Sequence, residues 1–448
     1  MPVRWGCNIE KRSRSSFCQA PMREATRDNK SKHQLTHTYA MVSMLSSTAS
    51  NSTFFSYLTL FALALSLSTS SSLQSNARYP HPRSTFLRDI SKAVCFGIGS
   101  TANTAISMAS TLNGDQLTRE IIYEPISVEV LGEQVPVAAW YPSTINGLAS
   151  NANQILSKRV TYEHRISVQK IGKSLANLNF IPSFTTRRFS ISPDSRNIVQ
   201  LSSKSNVAPN FASCSLPVVL LAHGYLGSRF DLSPYAEDLA SEGFLVLSCE
   251  YPESLADSYD STTKPIDRTI ITSKLLNALS TWNVDVQSYS IIGHSLGCGT
   301  ANKTGDDSWT RVCIAGFPST GSTCLFIGST NDGAVPLTRA TDTLQSLNYV
   351  QLNERRARFK EWEKLSPRTS LIFNEVYNNN PPPNHISFLS EGTNAAMVDF
   401  LSPLLPAARY LGIPVLDFDK YQLARDSDAT GKIVRPLVVD YLRQMNFR

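Results

Sequence analysis

A chain of 448 residues, 42% of them apolar, has material for one large or two ordinary domains with a sizeable core. Its formal charge of +6 is unevenly placed: residues 1–120 hold 13 Lys and Arg against 6 Asp and Glu, and the remainder holds 29 against 30. A body so close to neutral lacks the basic face that nucleic acid requires, which argues against such a partner. The eight cysteines show no CxxC pair and no zinc-like spacing with histidine, and a chain that can build its own core does not need a disulfide framework.

The N-terminal region reads as an address. Met41 to Ala77 carries no charge, and within it Phe54–Ser68 is an apolar run of fifteen residues, five of them Ser, Thr or Tyr. That is too short and too polar to span a bilayer, and it fits the apolar region of a signal peptide entering the secretory pathway. The tract before it is long for a signal peptide, so either Met41 or Met44 starts the chain or residues 1–40 form an extended basic leader. Thr69–Lys92 follows, rich in Ser and Arg with Asp89 as its sole acid, which is transit-peptide composition. A signal segment followed by a transit-like stretch resembles the bipartite leaders of algae with complex plastids, and implies a plastid address. Ala93–Ala109 is a second mild apolar stretch, with Ser107 and Ala109 spaced like a cleavage site; it reads as the end of the leader or as a further transfer signal. Residues 1–110 are therefore expected to be a targeting leader, and 121–448 one catalytic domain.

Folded sequence is expected from Ile121. Ile121–Val130 and Val135–Tyr141 read as strands joined by a short turn, with Pro142 ending the second. Residues 145–210 read as an insertion over or beside the sheet, helical around Tyr162–Ala176 and loop-like over Ser190–Ser215, a candidate to shape a substrate entrance. From Pro217 the pattern becomes regular. Strands are expected at Pro217–Ala222, Phe244–Cys249, Tyr289–Ile292, Val312–Ala315, Thr323–Ile327 and Ser370–Val376, with helices over Pro234–Glu242, Asp267–Thr281 and, on the outside, Leu347–Lys364. Short, wholly apolar strands alternating with helices predict an α/β fold with a mostly parallel sheet covered on both faces. Chemistry in such sheets gathers at the carboxyl ends of the strands.

Gly293-His294-Ser295-Leu296-Gly297 follows directly on a buried strand and precedes a helical segment. That context meets the condition for a nucleophile elbow, where Gly293 and Gly297 leave room for a sharp turn at Ser295. A serine hydroxyl needs a base. Of the histidines after His164, His294 is expected to point away along the elbow and His223 precedes a loop needed elsewhere, which leaves His385, after the last strand. Asp332, directly after Thr323–Ile327, is the acid expected to orient His385; Asp342, ten residues on, is the weaker candidate. The order Ser–Asp–His is the order of α/β-hydrolases. An oxyanion hole needs two N–H groups, expected from Leu296 and from Tyr225 in the loop after Pro217–Ala222. Cys298, one helical turn past Ser295, reads as packing.

At these residues the chain resembles the α/β-hydrolase superfamily. More narrowly, the loop His223–Arg229 (HGYLGSR), the elbow GHSLG, the acid loop Asn331–Pro336 (NDGAVP) and Asn384–Phe388 (NHISF) resemble the group containing platelet-activating-factor acetylhydrolases, dienelactone-hydrolase-like esterases and chlorophyllases. The resemblance covers about residues 121–400. It implies an ester hydrolase with Ser295, Asp332 and His385 as triad and Tyr225 and Leu296 as oxyanion donors, without metal or other cofactor. Dienelactone hydrolases use a cysteine nucleophile, so serine at position 295 argues against that activity. The expected substrate is a small-molecule or lipid ester, with peripheral membrane contact by the 145–210 insertion as a weaker idea. Chlorophyllase is the alternative within the same chemistry; a hydrolase-fold protein retained only for binding is the alternative of another class.

Overall fold

The computed structural model describes residues 120–143, 155–157, 160–176, 181–194, 198–201, 211, 214–259, 265–352, 365–374, 381–403, 405–410, 415 and 417–447. The leader, its cleavage site and much of the 145–210 insertion lie outside the described residues.

Strands β1 (Ile121–Val130) and β2 (Glu133–Pro142) form an antiparallel hairpin closed by Leu131 and Gly132, both at positive φ, as a two-residue hairpin loop demands. The insertion follows. It contributes β3 (Ile155–Ser157), β4 (Tyr162–Ser167), helix α1 (Val168–Ala176), β5 (Thr186–Ile191) and β6 (Ile198–Leu201). The helix expected over Tyr162–Ala176 is thus half strand, because Tyr162, His164 and Ile166 alternate inward along β4 before the period changes. The loop expected over Ser190–Ser215 contains β6, which pairs parallel with β1 and extends the main sheet.

The regular part comprises β7 (Ser215–Ala222), α2 (Ser233–Ser241), β8 (Leu245–Cys249), α3 (Arg268–Thr281), β9 (Asp285–His294), α4 (Leu296–Lys303), β10 (Thr310–Ile314), β11 (Cys324–Ser329), β12 (Asn348–Leu352), β13 (Arg368–Phe373), α5 (Glu391–Leu401) and α6 (Ser427–Asn446). The outer helix expected over Leu347–Lys364 begins instead as β12, an edge strand on β13; residues 353–364 are outside the described residues. Sheet order is β12-β13-β11-β10-β9-β7-β8-β2-β1-β6-β3, parallel from β12 to β8 and antiparallel at β8–β2 and β2–β1. A parallel sheet entered through an antiparallel hairpin, with order reversing at β7 and β8, is the α/β-hydrolase fold.

Alternation along β7 explains the two covering layers. Val219 and Leu221 face one side, packed with Tyr235 and Leu239 of α2 and Leu437 and Val438 of α6. Val218, Leu220 and Ala222 face the other, with Ile271, Leu275 and Leu279 of α3 and Ala301 of α4. A strand buried on both faces must be apolar throughout, which is why Pro217–Ala222 is legible as a run. Because β7, β9, β11 and β13 run the same way, the loops after Ala222, His294, Ser329 and Phe373 emerge along one edge.

Candidate active site

Strand β9 ends at His294 and α4 begins at Leu296, so Ser295 alone makes the turn, at φ 55° and ψ −118°. Such a conformation is strained for a residue with a side chain and persists only where its surroundings enforce it. They do. A Cβ at Gly293 would lie 2.4 Å from the Gly297 carbonyl oxygen, and one at Gly297 only 1.9 Å from that of Ala222. The Ser295 N–H donates to the Ile314 carbonyl of β10 at 2.9 Å, and Cys298 is buried beneath the turn.

Asp332 sits just past β11. Oδ1 accepts the N–H groups of Ala334 (3.0 Å) and Val335 (2.7 Å), and His385 Nδ1 lies 2.9 Å from Oδ2 and 3.1 Å from Oδ1. Asp332 and His385 are both buried. With Nδ1 donating, Nε2 carries the free lone pair. Asn384 shapes the turn around the imidazole: its Oδ1 accepts from the Ile386 and Ser387 N–H groups and from Ser387 Oγ. His294 differs from expectation. Instead of pointing away, its ring lies 4.9 Å from that of His385, and Nε2 donates to the His385 carbonyl at 3.0 Å. Burial, then the neighbouring His385, push the His294 imidazole down to about 3, so it stays neutral. The residue before Ser295 therefore holds the backbone of His385. Ser295 Oγ itself makes no hydrogen bond among the described residues.

The loop after β7 closes on the same point. A Cβ at Gly224 would lie 3.0 Å from His294 Nδ1 and 3.2 Å from Ser295 Cβ, so this loop passes in tight contact with the elbow. His223 is buried and neutral, its pKa pushed well down by burial and then by Arg268. Its Nε2 accepts from the Tyr251 N–H (3.2 Å), which leaves Nδ1 to donate to the Gly224 carbonyl at 2.8 Å. Tyr225 and Leu296, the expected oxyanion donors, therefore flank Ser295, one next to it and the other next to Gly224.

Two residues here were not legible as parts of a site. Arg268 donates to the carbonyls of His223 (2.7 Å) and Gly224 (3.2 Å), to Thr300 of α4 and to Glu253. Its one sequence signal is a cation at the first position of a helix, where the dipole disfavours it. Asp417 accepts from the Gly333 N–H beside Asp332 (2.8 Å) through its carboxylate, and from Asn384 Nδ2 (3.1 Å) through its carbonyl. No sequence signal points to it.

Large apolar side chains rim the site. Tyr225, Leu296 and Phe317 are 44, 45 and 47% exposed, and Phe317 follows Gly316, which packs against the Ser295 carbonyl. A cleft of about 520 Å³ opens beside α4, walled by Pro252, Ile266 and Leu296 and also by the charged Glu253, Asp267, Arg268 and Lys303.

No family model matches the chain, and no curated protein matches it. Among solved structures it is similar to a ferulic acid esterase from Streptomyces cinnamoneus, at 13% identity over 72% of this chain and 89% of that one, with a TM-score of 0.35. It is also similar to a Pyrococcus furiosus esterase (10%, 64% and 87%, TM-score 0.30) and to a dienelactone hydrolase from Anabaena variabilis (15%, 60% and 89%, TM-score 0.28).

Proposed function

We propose that this chain is a serine carboxylic-ester hydrolase, with Ser295 as nucleophile, His385 as base and Asp332 as the group that orients it. The observation carrying most weight is the buried Asp332–His385 pair, tied through His294 to a strained serine on a strand-to-helix turn. Asp332 holds the Nδ1–H tautomer, which leaves Nε2 to take a proton. Closure of the Ser295–His385 hydrogen bond on substrate binding belongs to this reading, since such bonds are often long without substrate. Ser295 Oγ then attacks the ester carbonyl as its proton passes to Nε2. The Tyr225 and Leu296 N–H groups receive the developing oxyanion. The carbonyl re-forms, the alcohol departs with the proton from His385, and water repeats the sequence to release the acid.

The exposed Tyr225, Leu296 and Phe317 support a lipid ester as substrate, the acetyl ester of a phospholipid being its narrowest form. The test is hydrolysis of p-nitrophenyl esters of increasing chain length, with fluorophosphonate labelling of the serine. Ser295→Ala is expected to lower turnover by more than about a thousandfold and to abolish labelling. A chain that neither labels nor turns over any ester is the binding-only protein. Release of chlorophyllide from chlorophyll would direct the same chemistry to the chlorophyllase reading.

A further inference from the structure

We propose that Arg268 is a positioning residue that sets the oxyanion hole by tying its two halves together. The proposal rests on the hydrolase reading above. The two N–H groups come from separate elements: Tyr225 from the loop after β7, Leu296 from the start of α4. Their separation and aim must be held within a fraction of an ångström to stabilise an oxyanion.

Arg268 touches both elements. Its Nη1 donates to the His223 carbonyl (2.7 Å) and to Thr300 Oγ1 of α4 (3.3 Å), and Nη2 donates to the Gly224 carbonyl (3.2 Å). Nε donates to Glu253 (2.6 Å), and the guanidinium lies 4.3 Å from the centroid of the Tyr251 ring. All three nitrogens are therefore committed, and the planar fork is held on its face as well as its edge. Tyr251 belongs to the same brace, since its N–H fixes the tautomer of His223.

The Gly224 carbonyl is where the geometry becomes functional. It accepts from Arg268, from His223 Nδ1 (2.8 Å) and from the Gly227 N–H (3.3 Å). No peptide bond among the described residues is cis, so the Tyr225 N–H points opposite to that carbonyl. Pinning the oxygen thus aims the N–H. A charge-assisted bond to the carbonyl end also polarises the peptide and strengthens its N–H as a donor. A cation at the first position of α3 opposes the helix dipole, a local cost that this role accounts for and that Glu253 offsets.

Arg268→Met removes the donors and keeps the aliphatic stem; Arg268→Lys keeps the charge but cannot reach two carbonyls, a hydroxyl and a carboxylate at once. Each is compared with the wild type for kcat and KM on a p-nitrophenyl ester, for inhibition by an alkyl boronic acid, which forms a tetrahedral anion on the serine, and for thermal unfolding. The expected result is kcat lower by about tenfold to a hundredfold, KM within about twofold, and boronate affinity reduced in parallel with kcat. If Met at 268 prevents folding, the Lys variant decides on the same readouts. Unchanged kcat and boronate affinity in a folded variant overturn the proposal. So does a loss confined to thermal stability, which marks the brace as structural only. A Ser295→Ala protein as active as the wild type instead overturns the hydrolase reading itself, an outcome distinct from a live enzyme indifferent to Arg268.

Discussion

Asp332 Oδ1 accepts the Ala334 and Val335 N–H groups and lies 3.1 Å from His385 Nδ1, while Oδ2 is the nearer partner of that nitrogen at 2.9 Å. In Asp332→Asn the amide oxygen can keep the two backbone donors, but the NH₂ then faces Nδ1. The imidazole must accept there, moving its proton to Nε2, where it can no longer take one from Ser295. We expect kcat to fall by on the order of 10⁴ with KM little changed, measured on a short p-nitrophenyl ester; a loss under tenfold would remove Asp332 from its assigned role. Of the side chains of Ser295, Asp332 and His385, the last two are joined by a hydrogen bond. Ser295 and Asp332 were legible because each lies just past a strand whose apolar run marks the sheet edge, and His385 because it is the histidine following the last strand. His294 and Arg268 were not, because their roles depend on which carbonyl a side chain reaches across 91 and 45 residues of sequence. Periodicity reports the face on which a residue lies, not its partner.

At the scale of elements, the acid loop after β11 and the histidine loop after β13 share a clamp from outside the sheet. Asp417, at φ 66°, bonds Gly333 through its carboxylate and Asn384 through its carbonyl, so one residue touches the neighbours of both Asp332 and His385. Asp417→Ala removes the carboxylate and strains the left-handed backbone, a conformation Asp tolerates better than Ala. The expected cost is about 1 kcal/mol from the lost hydrogen bond, with more from the backbone, accompanied by a several-fold fall in kcat; Asp417→Asn, which tolerates that conformation and keeps an acceptor, should recover most of both. Equal losses in the Ala and Asn variants would mean that charge, not this bond, holds the loops. Strands β7, β8, β10 and β11 and helices α2 and α3 were legible to within two residues at each end, since a strand buried on both faces reads as an unbroken apolar run. Strand β9 was legible only over Tyr289–Ile292, because its first half, Asp285–Ser288, is mostly polar and partly exposed. The insertion was legible less well: β4 alternates with the period of a strand and passes directly into α1, so a window covering both averages two periods into one. The C-terminal helices α5 and α6, which carry part of the packing on one face, follow Pro-rich sequence without a strand signal and were left unread.

Over the whole molecule, burial sets titratable groups against one another. His164 and His294 are pushed down to about 3 and His223 well down, all by burial first, whereas Asp231, buried beside Ser228 with Glu250 adding repulsion, is pushed up to about 7. The signs oppose. For the imidazoles the folded pKa is below the unfolded one, so their contribution is present above about 6.5 and is lost as pH falls towards 3. For Asp231 the folded pKa is above the unfolded value of 3.8, so its contribution is full below that value and is lost as pH rises through about 7. Asp231→Asn isolates the second effect, because the amide oxygen can still accept from Ser228 Oγ, as Asp231 Oδ1 does at 2.9 Å. The stability difference, variant minus wild type, should therefore be smallest near pH 4 and grow towards pH 7 by up to about 1.4 kcal/mol per pH unit, then level off. Urea unfolding midpoints measured from pH 4 to 8 give that difference directly, with the imidazole contributions cancelling between the two proteins. Parallel curves across this range would show that the Asp231 carboxyl is ionised in the folded state after all, and that the loop between β7 and α2 admits water to it.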